Sequence, residues 1–415
     1  MIQGLQCREC ARPAQVGAVH VCEFCFGPLE VVYDRERQRR TVSRASIEAG
    51  PATLWRYADL LPVLPGDAPR VDLGAGFTPL VRAPRLGAAL GLRDLWLKND
   101  TLNPTNSFKD RVVSVALSAA RRLGITTAAC ASTGNLAQSV AAHAAGAGMD
   151  SCVLIPADLE EAKIMATAVY GTRLVAVEGN YDDVNRLCGE IAGEHGWGFV
   201  NVNLRPYYAE GSKTIGFEIA EQLGWALPDH VVAPMASGSM LVKIDKAFRE
   251  LVDLGLVDEA SWTVSGAQAA GCNPIAAAYK TGAGTIRPVK PDTVAKSLAI
   301  GDPADGYYAL DVLARTGGAA EDVTDAEIAE AMTLLARTEG VLAETAGGVT
   351  VAVLAKLAAA GRIDPDGRTV AVISGHGLKT LPVLRGQAGP THTIAPSYDA
   401  FVEALALSAA EPALS

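Results

Sequence analysis

The chain has no excess of positive charge, no long apolar run and no internal repeat, and each absence removes a class of function. Against 46 Asp and Glu stand only 36 Lys and Arg, a formal net charge of −10. Such a balance argues against bulk binding to nucleic acid or to an anionic membrane. The alanine-rich stretch 137–149 is interrupted by Gln138 and His143, so no segment approaches the length of a membrane span. The N-terminus lacks the basic, apolar and small-residue order of a leader. Neither a Walker A pattern nor a dinucleotide G-x-G-x-x-G occurs.

What is present is the composition of a large soluble enzyme: 415 residues, 49% apolar and 20% charged, enough for roughly two to three domains. Eight cysteines fall into two groups. Cys130, Cys152, Cys188 and Cys272 are scattered singly, as expected of reduced thiols in a core, and a cytoplasmic location follows as an expectation. The other four form Cys7-x-x-Cys10, an eleven-residue spacer and Cys22-x-x-Cys25. Two such knuckles can supply four thiolates to a tetrahedral Zn²⁺, which predicts a zinc-ribbon-like segment over 1–35; redox-active Cys-x-x-Cys units are the alternative. The segment lacks a dense Lys/Arg surface and reads as a structural appendage. Residues 36–70 read as a connector, the run from Arg35 to Arg40 being broken by Glu36 and Gln38 and therefore solvated.

From about residue 70, short β-branched runs alternate with amphipathic stretches. Strands are predicted at 95–97, 128–131, 152–155, 173–177, 231–234, 263–266 and 369–373. Helices are predicted at 107–123, 135–148, 160–170, 181–195, 212–224, 240–254, 325–338 and 347–360. This alternation predicts an α/β fold of two three-layer domains with mostly parallel sheets, filling 71–385, the smaller domain at about 125–205. A tail follows over 386–415, with a short helix near 398–410.

One lysine stands out. In Asn103-Pro104-Thr105-Asn106-Ser107-Phe108-Lys109-Asp110-Arg111 the Asn-Pro pair marks a turn, and Ser107 with Asp110 fits an N-cap and its capping-box partner. Lys109 then occupies the first turn of a helix, where the macrodipole disfavours added positive charge. A lysine so placed can condense with a carbonyl cofactor; a solvated lysine is the plain alternative on local evidence. Three further segments join a strand to a glycine turn and a helix start: Ala131-Ser132-Thr133-Gly134-Asn135, Pro234-Met235-Ala236-Ser237-Gly238-Ser239-Met240 and Ile373-Ser374-Gly375-His376-Gly377. Such turns aim N–H groups and hydroxyls at anions. His143, in an alanine-rich helix, reads as a packing residue, His376 as part of a cofactor turn, and Asp182-Asp183 as a solvated helix start. Together the four segments suit pyridoxal phosphate (PLP), which needs an amine, a phosphate cradle and partners for its ring.

On the motifs Asn103–Arg111, Ser132–Asn135, Glu210-Gly211-x-Lys213-Thr214 and Gly375-His376-Gly377-Leu378-Lys379, the chain resembles the threonine synthase family, PLP enzymes of the tryptophan-synthase-β-like type II fold. The resemblance implies that Lys109 holds PLP covalently and moves protons between substrate carbons. It implies that Asn135 meets the ring oxygen, Ser374 the ring nitrogen, and Ala236, Ser237, Gly238, Ser239 and Met240 the cofactor phosphate. Ser132 and Thr133 would receive the substrate, and Arg111, Arg205 and Lys213 are the basic candidates for its phosphate. The implied activity is a lyase acting on O-phospho-L-homoserine, with a structural zinc at Cys7, Cys10, Cys22 and Cys25. The expected partners are a small phosphoamino acid and a second copy of the chain in a homodimer, with neither nucleic acid nor membrane. An O-phosphoserine-dependent β-replacement enzyme, a serine/threonine dehydratase and a non-catalytic zinc-ribbon binding protein are the alternatives. Four departures from the commonest family pattern are visible: Asn106 for glycine, Ser212 for glutamine, Tyr208 for arginine beside Glu210-Gly211, and a phosphate loop with less Gly and Asn.

Overall fold

The computed structural model describes residues 2–66, 68–132, 134–157, 161–178, 181–386 and 388–405. Met1–Lys379 form one compact unit, and Thr380–Ser415 form another, beginning earlier than the tail predicted at 386. The second unit holds a 3-10 turn at Leu381–Leu384 and a helix at Tyr398–Ala404.

Two α/β sheets carry the first unit. The larger has six strands in the order Ala320–Val323, Thr263–Ala269, His230–Pro234, Thr369–Ile373, Leu95–Asn99 and Leu80–Arg82. All neighbours run parallel except the Leu80–Arg82 edge. The smaller, all parallel, runs Arg173–Val177, Asp150–Pro156, Thr127–Ala131, Gly198–Phe199. It draws on residues 127–199, inside the 125–205 window. Strands Thr127–Ala131, His230–Pro234 and Thr369–Ile373 are buried at every residue. That is the pattern of parallel strands covered on both faces, and their near-continuous apolar runs are why they were legible.

The helices follow the predicted spans within a few residues, with Lys109–Arg122, Asn135–Gly146, Ser239–Asp253 and Thr345–Ala359 as examples. Several elements escape sequence reading, among them Leu80–Arg82, Pro84–Leu90 and Gly198–Phe199. Arg205–Gly211 and Pro274–Thr281 open on prolines, which look like turns but fit the first helical positions. Gly306–Thr316 opens on glycine. The edge strand Ala320–Val323 is half acidic, its Asp322 receiving Lys280 at 3.1 Å. The connector reading fails: residues 36–70 include a helix at Arg35–Thr41 with Gln38 buried, and a 3-10 segment at Leu54–Leu60 that sinks Trp55, Tyr57 and Leu60. Arg35 is bound to Glu250 at 2.7 Å rather than solvated.

The N-terminal strands Ile2–Cys7, Pro13–Ala14 and Leu29–Tyr33 form a separate antiparallel sheet. No helix among the described residues is long and apolar enough to cross a membrane.

Candidate active site

In the large sheet the chain runs outward from His230–Pro234 to Thr263–Ala269 and Ala320–Val323, then reverses and inserts its last strand, Thr369–Ile373, on the other side of His230–Pro234. Open α/β sheets bind ligands beyond the carboxyl ends of strands at such a point. Pro234 there leads into the Ala236–Met240 loop and Ile373 into Ser374, and Ser132 follows the carboxyl end of a strand of the smaller sheet. A cleft of about 400 Å³ opens among them, lined by Lys109, Asn135, Ala236 to Met240, Arg205 and Ser374.

Lys109 begins its helix as predicted, but its cap differs. Phe108 is the N-cap residue, without a side-chain bond. Ser107 is held instead by backbone pairing with Gly375, and its hydroxyl is buried without a hydrogen-bond partner. The Asp110 carboxylate accepts from the Thr105 N–H, the Thr105 hydroxyl and Ser139 at 2.6–2.7 Å. Lys109 Nζ donates to the Tyr208 hydroxyl at 3.1 Å and lies 4.5 Å from the Phe108 ring centroid. Tyr208 shares the short helix Arg205–Gly211 with Arg205, one turn away, so both reach the same cleft. The position read as a missing arginine is thus occupied by the partner of the lysine.

Asn135 is fixed at both ends of its amide. Its Nδ2 donates to Glu344 at 2.8 Å, and its Oδ1 accepts from Lys379 at 2.9 Å. Ser374 Oγ lies 3.4 Å from the other Glu344 oxygen. Burial raises the Glu344 carboxyl above its ordinary range and lowers the Lys379 ammonium below its own. A β-carbon on Gly375 would collide with that carboxylate, which accounts for glycine there. Sequence reading missed Glu344 and Tyr208 and gave Lys379 no role. Glu344 carries one faint signal, an acid immediately before a Thr-Ala-Gly-Gly helix start.

The remaining expectations divide sharply. Gly238 has φ 93°, a left-handed turn that lets the backbone fold round the cleft at the start of the Ser239–Asp253 helix. Arg205 lines the cleft while paired with Asp305 at 2.9 Å. Ser132 is buried, accepts the Gly134 N–H at 3.2 Å and is not one of the lining residues. Thr133 lies outside the described residues. Arg111 and Lys213 are corrected: neither lines the cleft. Arg111 is wholly buried, donating to both oxygens of Asp100 at 2.7 and 2.8 Å, to Glu218, and to Thr78 and Thr214. Burial opposes charge on Glu218, yet Arg111 and Lys98 prevail and hold its carboxyl down to about 2. Lys213 spends its three donors on Leu60 O, Glu210 and Glu250 at 2.7–2.9 Å. Asn106 has φ 60°, a region that glycine and asparagine both visit, so this departure keeps the backbone unchanged. His143 is buried on Ser139 O at 2.9 Å, away from the cleft.

The four N-terminal sulfurs lie within 4.8 Å of one another. Tetrahedral Zn–S bonds of about 2.3 Å would set sulfurs about 3.8 Å apart. Backbone N–H groups lower the Cys7 and Cys22 thiols, the latter to about 7. Cys25, despite the Gly27 N–H, is pushed up to about 12 by the sulfurs around it. Four sulfurs this close are a set that could hold one metal ion.

An amine, a ring-sized cleft, paired polar groups on one wall and a glycine-bent helix start on the other are the features a phosphorylated carbonyl cofactor requires. The chain belongs to the pyridoxal-phosphate-dependent enzyme family, which it matches over residues 71–375. Within that family it stands with the threonine synthases and is a PLP-dependent lyase. The threonine synthase of Methanocaldococcus jannaschii is 39% identical over 377 residues, 90% of this chain and 92% of its own. That of Methanosarcina acetivorans is 38% identical over 378 residues, with the same coverage. Two solved structures share the type II fold. Threonine deaminase isoform 2 from Solanum lycopersicum, in its processed form, has TM-score 0.62 at 21% identity, covering 74% of this chain and 87% of that one. Diaminopropionate ammonia lyase from Escherichia coli has TM-score 0.64 at 18% identity, covering 76% and 88%.

Proposed function

We propose that the protein converts O-phospho-L-homoserine and water to L-threonine and phosphate. The observation that carries this reading is the Lys109 amine, 3.1 Å from the Tyr208 hydroxyl, in one cleft with Asn135, Ser374 and the Ala236–Met240 turn. Pyridoxal phosphate supplies an electron sink that makes protons on Cα, and then on Cβ, acidic. Lys109 Nζ is the group placed to take and return those protons, and Tyr208 orients it. Asn135, braced by Glu344 and Lys379, would hold the ring oxygen of the cofactor, and Ser374 its ring nitrogen. The glycine-bent Ala236–Met240 loop, at the start of the Ser239–Asp253 helix, would hold the cofactor phosphate. Arg205 is the remaining cation for the substrate phosphate, which leaves Cγ with its bonding electron pair while water adds at Cβ. The substrate carboxylate is assigned to the start of the Asn135–Gly146 helix, where Asn135 lines the cleft. A cytoplasmic homodimer belongs to the same reading.

The test is a product assay of purified protein with O-phosphohomoserine. Threonine and phosphate in equal amounts are expected. Inert O-phosphohomoserine, with O-phosphoserine consumed in the presence of sulfide, would replace this reading by a β-replacement one. The four sulfurs are proposed to hold one structural Zn²⁺, measured by elemental analysis and lost on replacing Cys7 and Cys10 with serine.

A further inference from the structure

The N-terminal ribbon reaches the active site. His20, in the spacer between the two Cys-x-x-Cys pairs, lines the cleft with Arg205 and Tyr208. Its backbone is fixed from two sides. Upstream, Gly17 donates its N–H to the Tyr207 hydroxyl at 3.1 Å and accepts that hydroxyl at its carbonyl at 2.9 Å, which pins the spacer to the Arg205–Gly211 helix. Downstream, Leu29 N–H donates to His20 O at 2.9 Å, Val21 pairs with Pro28, and Cys22 N–H donates to Gly27 O at 2.8 Å. His20 thus sits two residues from a sulfur of the cluster, on a short ladder that any movement of Cys22 would shift.

We propose that His20 is a substrate-positioning residue at the phosphate end of the cleft, held in place by the four-sulfur cluster. This rests on the threonine synthase reading and deepens it. A departing phosphate calls for cationic or strong N–H donors, and besides Lys109, Arg205 and His20 the side-chain donors lining the cleft are hydroxyls and amides. Arg205 shares its guanidinium with Asp305, and both Asp302 and Asp305 line the same cavity, where they oppose an anion. The His20 imidazole, lining the cleft with Arg205, supplies a donor that brings no further carboxylate. On the cofactor side, Asn135, Glu344, Lys379 and Ser374 bind one another without a ribbon residue, while Lys109 bonds to Tyr208.

The test uses the holoenzyme with inorganic phosphate as probe, its Kd read by calorimetry. His20→Ala is expected to weaken phosphate about tenfold and to raise KM for O-phosphohomoserine more than it lowers kcat, with the visible absorption of bound cofactor unchanged. His20→Gln should recover part of the phosphate affinity. Cys22→Ser is expected to lose metal, by mass spectrometry, and to weaken phosphate to the His20→Ala level while keeping the cofactor absorption. An unaltered phosphate Kd in His20→Ala overturns the proposal, and so does loss of cofactor absorption in Cys22→Ser. Phosphate binding can be measured whether or not O-phosphohomoserine turns over, so the failure of this inference and that of the proposed reaction are separable.

Discussion

Lys109 and Arg111 stand two residues apart on the first turn of one helix, both basic, and they have opposite fates. At roughly 100° per residue their side chains leave the helix on nearly opposite faces. Lys109 meets a cleft, with a tyrosine hydroxyl as its partner. Arg111 meets Asp100 and Glu218 in a closed network that spends every donor it has. A basic residue next to a catalytic motif is therefore no evidence of substrate contact until its counter-charges are known.

The comparison can be broken most decisively at Lys109. Lys109→Ala is expected to lower turnover more than about a thousandfold and to abolish the visible absorption of bound cofactor, with the thermal midpoint little changed. A surviving absorption band would move the covalent site elsewhere. Arg111→Met should do the reverse, removing the ion-pair partner of buried Asp100 and one of the two cations, with Lys98, on Glu218, at a cost of about 3–5 kcal/mol, read in urea unfolding. Lost turnover with unchanged stability would return Arg111 to the site.

His230 sharpens the same lesson without an ion pair. It is buried, its Nε2 lies 2.8 Å from the Ser265 hydroxyl, and burial lowers its pKa to about 4. Below pH 6.5 the unfolded chain binds a proton that the folded chain refuses. Stability should therefore be fully present above pH 6.5 and decline as pH falls towards 4, by roughly 3 kcal/mol. Thermal midpoints of wild type and His230→Gln should converge over that range as pH falls; parallel curves would show that His230 titrates normally. The smallest effect is expected at Asn106: Asn106→Gly near neutral, Asn106→Ala costing about 1 kcal/mol, both by urea midpoint.

The sheets were legible because the central parallel strands are apolar throughout, and the lysine because a turn, a helix start and a glycine-rich set of loops agree locally. That Asn135, the Ala236–Met240 loop and Ser374 meet in one cleft was legible for the same reason: each lies within a few residues of a strand end. Arg111 was misread because Glu218 stands 107 positions away; Lys213 has Glu210 only three positions away, but Glu250 and the Leu60 carbonyl, which complete its shell, are 37 and 153 positions away. Glu344 and Tyr208 were missed because neither stands in a glycine turn. His20 was overlooked because a ribbon read as an appendage directs attention away from its own spacer.

The ribbon strand Leu29–Tyr33 sends two side chains into a buried cluster of charge. The Tyr33 hydroxyl donates to Glu210 at 2.7 Å, 177 positions later, and Glu30 receives Lys243, 213 positions later, and Lys246 at 2.9 Å. On a ribosome adding about 5–20 residues per second, those partners follow the strand by about 10–40 s. During that interval the ribbon has only its own short sheet and the four sulfurs to hold it. Metal captured by the nascent chain would then set the frame onto which the catalytic unit closes.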